Sequence, residues 1–86
     1  MILRNHGLLT CGKSAAEAFL MMYILESACR IQILAQTGGS ELISVPAPII
    51  AGAQAQVAAV TKGMGADLVF PGLLRKLDRI DGSYKN

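Results

Sequence analysis

This 86-residue sequence has few charged residues, one histidine, two cysteines and no tryptophan. Charged residues make up 16% of the chain, against about 25% in typical globular domains. Apolar residues make up 52%. A small domain has proportionally more surface to cover with polar groups than a large one. We therefore expect much of this surface to face other protein, either partner subunits or the rest of a longer polypeptide.

The scarcity of charge and cysteine also limits the classes of function. A net charge of +2 is too small to indicate nucleic acid or an anionic membrane as a partner. Cys11 and Cys29 form neither a C-x-x-C motif nor a disulfide framework, and small apolar thiols are typical of the reducing cytoplasm. The N-terminus does not have the pattern of a signal peptide.

Two apolar segments are candidates for crossing a membrane. The segment from Ala18 to Leu25 has only eight residues between two glutamates, and the charge-free segment from Leu42 to Thr61 is interrupted by proline and glycine. A spanning helix needs about 20 predominantly apolar residues. We therefore predict a soluble, cytoplasmic protein without a membrane partner.

Turn and capping residues predict how the chain begins. Residues 2–10 contain two β-prone runs around Asn5-His6-Gly7, where asparagine and glycine tolerate the positive φ of a tight turn, so we predict a hairpin there. Ser14 and Glu17 have the spacing of a capping box, in which we expect Glu17 to bind the amide of Ser14. A helix is predicted over about residues 14–36.

Two further helices are indicated by proline and glycine. Proline is favoured in the first turn of a helix and glycine just after the last. These preferences predict helices over about residues 48–62 and 71–80. The chain is therefore predicted to be mainly α, with a short β-hairpin followed by three helices.

The first predicted helix is apolar over most of its circumference. Its polar residues form one narrow stripe, which consists of Tyr23, Glu26, Ser27 and Arg30. The remaining apolar arc is wider than the roughly 100° stripe of an ordinary surface helix. We expect this helix to be covered on more than one side, which the rest of the chain is too short to do.

Two stretches resemble the C-terminal region of the class II aldolase/adducin family. One is LRNHGLL from Leu3 to Leu9, followed by Gly12-Lys13 and by AEAF from Ala16 to Phe19. The other is LLRKLDR from Leu73 to Arg79, followed by Tyr84. The resemblance extends over essentially all 86 residues and corresponds to about the last third of the family's domain. It implies a fragment of an α/β/α sandwich that usually assembles as a tetramer.

The resemblance also implies a chemistry. Enzymatic members bind a divalent metal, commonly zinc, through three histidines, and His6 matches the histidine of the family's N-H-G turn. The other two ligands come from an upstream H-x-H pair. The metal polarises the substrate and stabilises an enediolate during retro-aldol cleavage. Related members decarboxylate or epimerise through the same kind of intermediate, whereas adducin-type members are cytoskeletal and non-catalytic.

His6 is the candidate metal ligand, and we expect Asn5 to set its tautomer by bonding the ring or the backbone. A zinc site needs three or four ligands, and this sequence has one histidine and no H-x-H pair. Metal binding is therefore expected only in the complete protein or assembly. Without a metal, His6 only shapes a turn.

Tyr84 is a weak catalytic candidate. It resembles the tail tyrosine that some family members send into a neighbouring subunit's active site. The alternative interpretation is a disordered C-terminal residue, because chain termini are usually poorly ordered unless they are tied down.

These observations leave two hypotheses for the function. In the first, the chain is the C-terminal part of a metal-dependent lyase and is inactive alone. Its partners are then the missing N-terminal portion or other subunits of a homo-oligomer. In the second, it is a non-catalytic helical oligomerisation module of adducin type. The substrate is left open, because the residues that select it lie outside this chain.

Overall fold

A computed structural model describes all residues from 1 to 86. Two short antiparallel strands, β1 (Ile2–Leu3) and β2 (Gly7–Leu8), form a hairpin in which Ile2 pairs with Leu8 and Leu3 with Gly7. Three helices follow, and a single 3₁₀ turn ends the chain. The helices are α1 (Ala15–Thr37), α2 (Ala47–Thr61) and α3 (Gly65–Ile80), and the 3₁₀ turn is Ser83–Lys85.

This architecture confirms a mainly helical chain in which a hairpin precedes three helices. The predicted start of the third helix was wrong, because α3 begins at Gly65 and not near Pro71. Pro71 lies inside the helix, where its missing N–H leaves the carbonyl of Asp67 without the usual helical donor. The prediction placed Pro71 in the first turn because proline is favoured there, but in this helix it lies further along.

Helices α1 and α3 form the main tertiary contact of the chain. The rings of Phe19 and Phe70 meet edge to face, with centroids 5.7 Å apart and planes at 64°. This is a favoured geometry for aromatic pairs, because the positive edge of one ring meets the negative face of the other. The contact lies near the start of α1 and leaves its C-terminal half uncovered, including Ile31, Ile33 and Leu34.

A tight turn separates α2 from α3. Lys62 and Gly63 both have positive φ, at 49° and 73°, and the left-handed conformation of Lys62 ends α2. The axes of α2 and α3 consequently differ by 64°. Helix α2 carries no charged residue, and every residue in it except Gly52 and Thr61 is exposed.

The chain does not enclose a core. None of its 86 residues is buried, and its accessible surface is 7504 Å². A compact protein of 9.1 kDa exposes about 4,900 Å² by the usual scaling of area with mass. The radius of gyration is 16.4 Å, against roughly 12 Å for a compact domain of this length. The expected excess of uncovered apolar surface is therefore present.

Helix α1 is long and apolar enough to cross a membrane by length and composition alone. It has 23 residues, and its most apolar 18-residue window has a mean hydropathy of 1.4. The bent pair of α2 and α3 passes the same test as one broken span. The expectation from the charge-free residues 18–25 missed this property of α1, because the apolar stretch continues past Glu26 and Arg30. These two residues form an ion pair of 3.1 Å. The core helix of a soluble protein also passes this test.

Glycine at position 12 is required by the close approach of the hairpin segment to α1. A Cβ there would lie 2.7 Å from the amide nitrogen of Ala18 and 2.9 Å from Cβ of Glu17. We expect Gly12→Ala to lower the free energy of unfolding by about 1–3 kcal/mol, as overpacking does. Urea denaturation followed by circular dichroism measures this change.

Gly52 in the middle of α2 is the matched control, since a Cβ there meets nothing within 4 Å. Gly52→Ala should raise the free energy of unfolding by about 0.5–1 kcal/mol, because alanine loses less conformational freedom in a helix. Equal stability of the two variants would contradict the close approach at Gly12.

Candidate functional site

The turn of the hairpin holds the only histidine in a constrained backbone. Asn5 has a φ of 61° and Gly7 a φ of 123°, which are conformations that asparagine and glycine tolerate better than other residues. The amide of His6 donates to the carbonyl of Leu3 at 3.2 Å. His6 is thereby placed at the tip of the hairpin, where it is exposed.

The imidazole of His6 is oriented by the main chain. Its Nδ1 lies 2.9 Å from the carbonyl oxygen of Arg4. A carbonyl oxygen can only accept, so in the neutral ring Nδ1 carries the proton and Nε2 keeps its lone pair. The prediction that Asn5 sets the tautomer was wrong, because the carbonyl of Arg4 does so. A backbone carbonyl that holds the other ring nitrogen is a common arrangement for histidines that bind metals.

Two contacts fasten the hairpin to α1. The hydroxyl of Thr10 donates to the carbonyl of Ala18 at 2.9 Å. The backbone of Gly12 passes directly over the first turn of the helix. At the end of the hairpin away from the turn, the amide of Leu9 donates to the carbonyl of Met1 at 2.9 Å. His6 is therefore carried on an element with a fixed position on α1.

The start of α1 is capped much as its sequence predicts. The hydroxyl of Ser14 accepts from the amide of Glu17 at 3.1 Å, which is the first half of the capping box. The second half differs, because the carboxylate of Glu17 accepts from the amide of Lys13 and not from that of Ser14. The cap therefore reaches one residue further back, into the segment that joins hairpin and helix.

His6 does not belong to a cluster of metal-ligating side chains in this chain. Nowhere do three or more histidine, cysteine, aspartate or glutamate side chains come together as a possible ligand set. Cys11, five residues after His6, is a free exposed thiol, and Cys29 is a free half-buried one. Neutral imidazole is one of the usual ligands of zinc, so His6 fits this metal by the type of its donor atom. It supplies only one of the three or four ligands that a zinc site needs.

Tyr84 lies in the C-terminal 3₁₀ turn, and its hydroxyl contacts the end of α3. Its hydroxyl donates to Oδ1 of Asp78 at 2.6 Å, and Nζ of Lys85 lies 2.8 Å from the same oxygen. No hydrogen bond connects Tyr84 with His6. Asp78 was not predicted from the sequence as a functional residue, although it lies in the last turn of α3 and Gly82 follows that helix.

The shared carboxylate shifts the acidity of all three groups. Hydrogen bonds from Lys85 and then from Tyr84 hold the pKa of Asp78 below its usual value. The bond to Asp78 raises the pKa of the Tyr84 hydroxyl and that of the Lys85 ammonium. Each group is thus held in its ordinary charge state, with Tyr84 neutral.

An apolar groove of about 700 Å³ lies between α1, α2 and the start of α3. Neither His6 nor Tyr84 lines this groove, and no sequence pattern predicted it. Its walls carry methyl and thioether groups together with a few charged side chains at the rim. The main apolar lining residues are Leu20, Met21, Ile24 and Val57, and the charged ones are Lys13, Glu17 and Asp67.

The tautomer of His6 can be tested directly. We expect neutral His6 to carry its proton on Nδ1, because the Arg4 carbonyl accepts it, and long-range ¹H–¹⁵N NMR of the imidazole distinguishes the two tautomers. Asn5→Val should abolish this preference, since a β-branched residue is disfavoured at positive φ, whereas Asn5→Gly should keep it. A predominant Nε2–H form in the unaltered chain would contradict the assignment.

Comparison with known proteins gives matches to one family. The family described as "Class II Aldolase and Adducin N-terminal domain" matches residues 1–33. The "Putative aldolase class 2 protein" of Pseudomonas aeruginosa is 52% identical over 99% of this chain and 34% of its own length. A protein of Caulobacter vibrioides with the same name is 37% identical over 98% of this chain and 33% of its own length.

Similarity to adducins is shorter. The alpha-adducin of Rattus norvegicus is 49% identical over 43 residues, which make up 48% of this chain and 6% of the adducin. No solved structure matches. The chain spans about one third of the length of the curated bacterial relatives it matches. The hairpin and the first part of α1 therefore match the class II aldolase and adducin family, and the chain as a whole is similar to one third of proteins named as class 2 aldolases.

Proposed function

We propose that this chain forms the C-terminal third of a class II aldolase-like, metal-dependent lyase. Similarity over 99% of the chain to one third of the P. aeruginosa relative supports the membership in a longer protein of this type, and the C-terminal position is part of the proposal. Retro-aldol cleavage or decarboxylation is then the reaction of the complete protein, and the chain alone is inactive. The two free thiols are compatible with a cytoplasmic protein.

The observation that carries the proposal is the 2.9 Å contact between Nδ1 of His6 and the carbonyl of Arg4. It leaves Nε2 as the donor atom for a divalent metal, which we propose to be zinc. The ring is held by its own hairpin, and the hairpin is held by Thr10 on α1. Such support reduces the entropy lost on coordination and fixes the direction of the lone pair.

One imidazole supplies one ligand, so the remaining ligands come from another part of the polypeptide or from other subunits. When bound, the cation supplies Lewis-acid polarisation of a substrate oxygen. The contribution of this chain is then to position Nε2 of His6. Tyr84 forms no hydrogen bond with the hairpin turn, because its hydroxyl donates to Asp78.

The uncovered surface supports an extensive interface with those missing parts. The accessible area of 7504 Å² exceeds that of a compact protein of the same mass by about 2,600 Å². Obligate interfaces bury roughly 2,000–5,000 Å² summed over both partners. Covering the excess on this chain would therefore require an interface of obligate size, formed by the N-terminal portion or by other subunits of a homo-oligomer.

Metal analysis of a chimera tests this proposal. In the chimera this chain replaces the matching third of the P. aeruginosa relative, to which it is 52% identical. We expect about one zinc ion per polypeptide. His6→Ala should weaken zinc binding by more than about 100-fold, because even the loss of an outer partner of a ligand costs 10–100-fold.

Cys11→Ser is the matched control, since it removes the thiol five residues after His6 and should leave zinc affinity unchanged. Elemental analysis after dialysis and competition with a chelator give the stoichiometry and the affinity. A chimera that binds no divalent metal, or that retains its affinity after His6→Ala, rules the proposal out.

A second candidate function is a non-catalytic oligomerisation module of adducin type. The observation that favours it is the exposure of α1, in which Ile31, Ile33 and Leu34 are each more than 60% exposed. The similarity to alpha-adducin over 43 residues is compatible with it. In this case His6 only shapes the turn, and the apolar face of α1 mediates self-association.

Sedimentation of the purified chain tests this second function. We expect dimers or larger species at micromolar concentration, and Leu34→Glu should weaken association because it places a charge in the interface. Ile43→Glu is the control, as Ile43 is 95% exposed in the segment between α1 and α2. A well-folded monomer at micromolar concentration counts against self-association.

A further inference from the structure

The last residues of the chain fold back onto the end of α3. The amide of Asp81 closes the helix by donating to the carbonyl of Leu77 at 2.7 Å. The carboxylate of Asp81 then accepts from the amide of Ser83 at 2.9 Å, which begins the 3₁₀ turn. The amide of Lys85 completes this turn by donating to the carbonyl of Gly82 at 3.2 Å.

Side chains close the same turn onto the helix. Oδ1 of Asp78 accepts a hydrogen bond from the Tyr84 hydroxyl at 2.6 Å and lies 2.8 Å from Nζ of Lys85. Nζ of Lys85 also lies 5.7 Å from the centre of the Tyr84 ring. One carboxylate oxygen of Asp78, which precedes Gly82 in the sequence, is thus bound by the side chains of Tyr84 and Lys85, which follow it.

We propose that Asp78, Tyr84 and Lys85 form a C-terminal clasp. In this clasp Asp78 positions Tyr84 and accepts the hydrogen bond from the hydroxyl proton of Tyr84. A phenol has one proton to donate and lone pairs to accept with. With the proton engaged by Asp78, Tyr84 can bind a ligand only through its oxygen, as an acceptor. The closed clasp therefore suits a ligand group that donates, such as an amide or a hydroxyl, and excludes Tyr84 as a proton donor.

The acidity of the three groups is consistent with the clasp. The bond to Asp78 raises the pKa of Tyr84, which keeps the phenol protonated. The ammonium of Lys85 lowers the pKa of Asp78, which keeps the carboxylate charged. The clasp requires no metal and does not depend on the function proposed above. It also makes Asp78 a positioning residue, because it acts through Tyr84.

Titration of Tyr84 tests the clasp. The chain has two tyrosines and no tryptophan, so in a Tyr23→Phe background the near-ultraviolet absorbance of tyrosinate reports Tyr84 alone. We expect Asp78→Asn to shift the titration midpoint of Tyr84 downward, because the removed negative charge no longer opposes ionisation. Asp78→Glu, which keeps the charge, should largely restore the midpoint.

Asp67→Asn is the matched control, since Asp67 lies in the first turn of the same helix and makes no hydrogen bond with Tyr84. This variant should leave the midpoint of Tyr84 unchanged. Circular dichroism of each variant shows whether the helices are intact. If Asp78→Asn and Asp67→Asn give the same midpoint, the clasp is refuted.

Hydrogen exchange provides a second readout. The amides of Lys85 and Asn86 donate to the carbonyls of Gly82 and Ser83, and opening of the turn exposes both. We expect Asp78→Asn and Tyr84→Phe to accelerate their exchange on the order of two- to five-fold, as for the loss of an exposed ion pair or hydrogen bond. Unchanged exchange in both variants would show that the side chains do not hold the turn closed.

Discussion

The fixation of the hairpin on the first turn of α1 is the interaction on which the rest of this structure depends. Thr10 donates to the helix backbone at Ala18, and the carboxylate of Glu17 reaches back to the amide of Lys13. Glycine at position 12 is needed because the segment passes within van der Waals contact of the helix. Without these contacts a hairpin of two-residue strands would be marginal at best in water. His6 would then have no defined orientation.

The same helix is largely uncovered within this chain. One aromatic contact, between Phe19 and Phe70, holds α3 near the start of α1, while the C-terminal half of α1 contributes no buried residue. Hydrophobic burial is the dominant favourable term in folding. Because this chain buries no residue, it gains only part of the free energy that hydrophobic burial can supply. This supports a role as part of a larger assembly.

The two ends of the chain differ in their chemistry. At the N-terminal end, the carbonyl of Arg4 occupies one nitrogen of His6 and leaves the other as a lone-pair donor. At the C-terminal end, Asp78 occupies the only proton of Tyr84. Both side chains are therefore prepared to interact through a lone pair. Each is oriented by a neighbour close in sequence, Arg4 for His6 and Asp78 for Tyr84, and this explains how exposed side chains can keep a defined direction.

The sequence by itself determined the order of the elements and most of their bounds. Ser14 is the N-cap residue of α1 as its sequence predicts, and Asn5 and Gly7 allowed the positive φ values of the turn. These features depend on local backbone preferences, which a sequence pattern can express. Pro71 shows the limit of such signals, because the helix continues through it from Gly65.

Only the tertiary structure decided which atoms meet. The partner of the His6 ring is a main-chain carbonyl rather than Asn5, and the carboxylate of Glu17 selects the amide of Lys13. The convergence of Tyr84 and Lys85 on Asp78 depends on how the chain turns after α3. Main-chain acceptors are present at every residue and carry no sequence signature, so their use is settled by folded geometry alone.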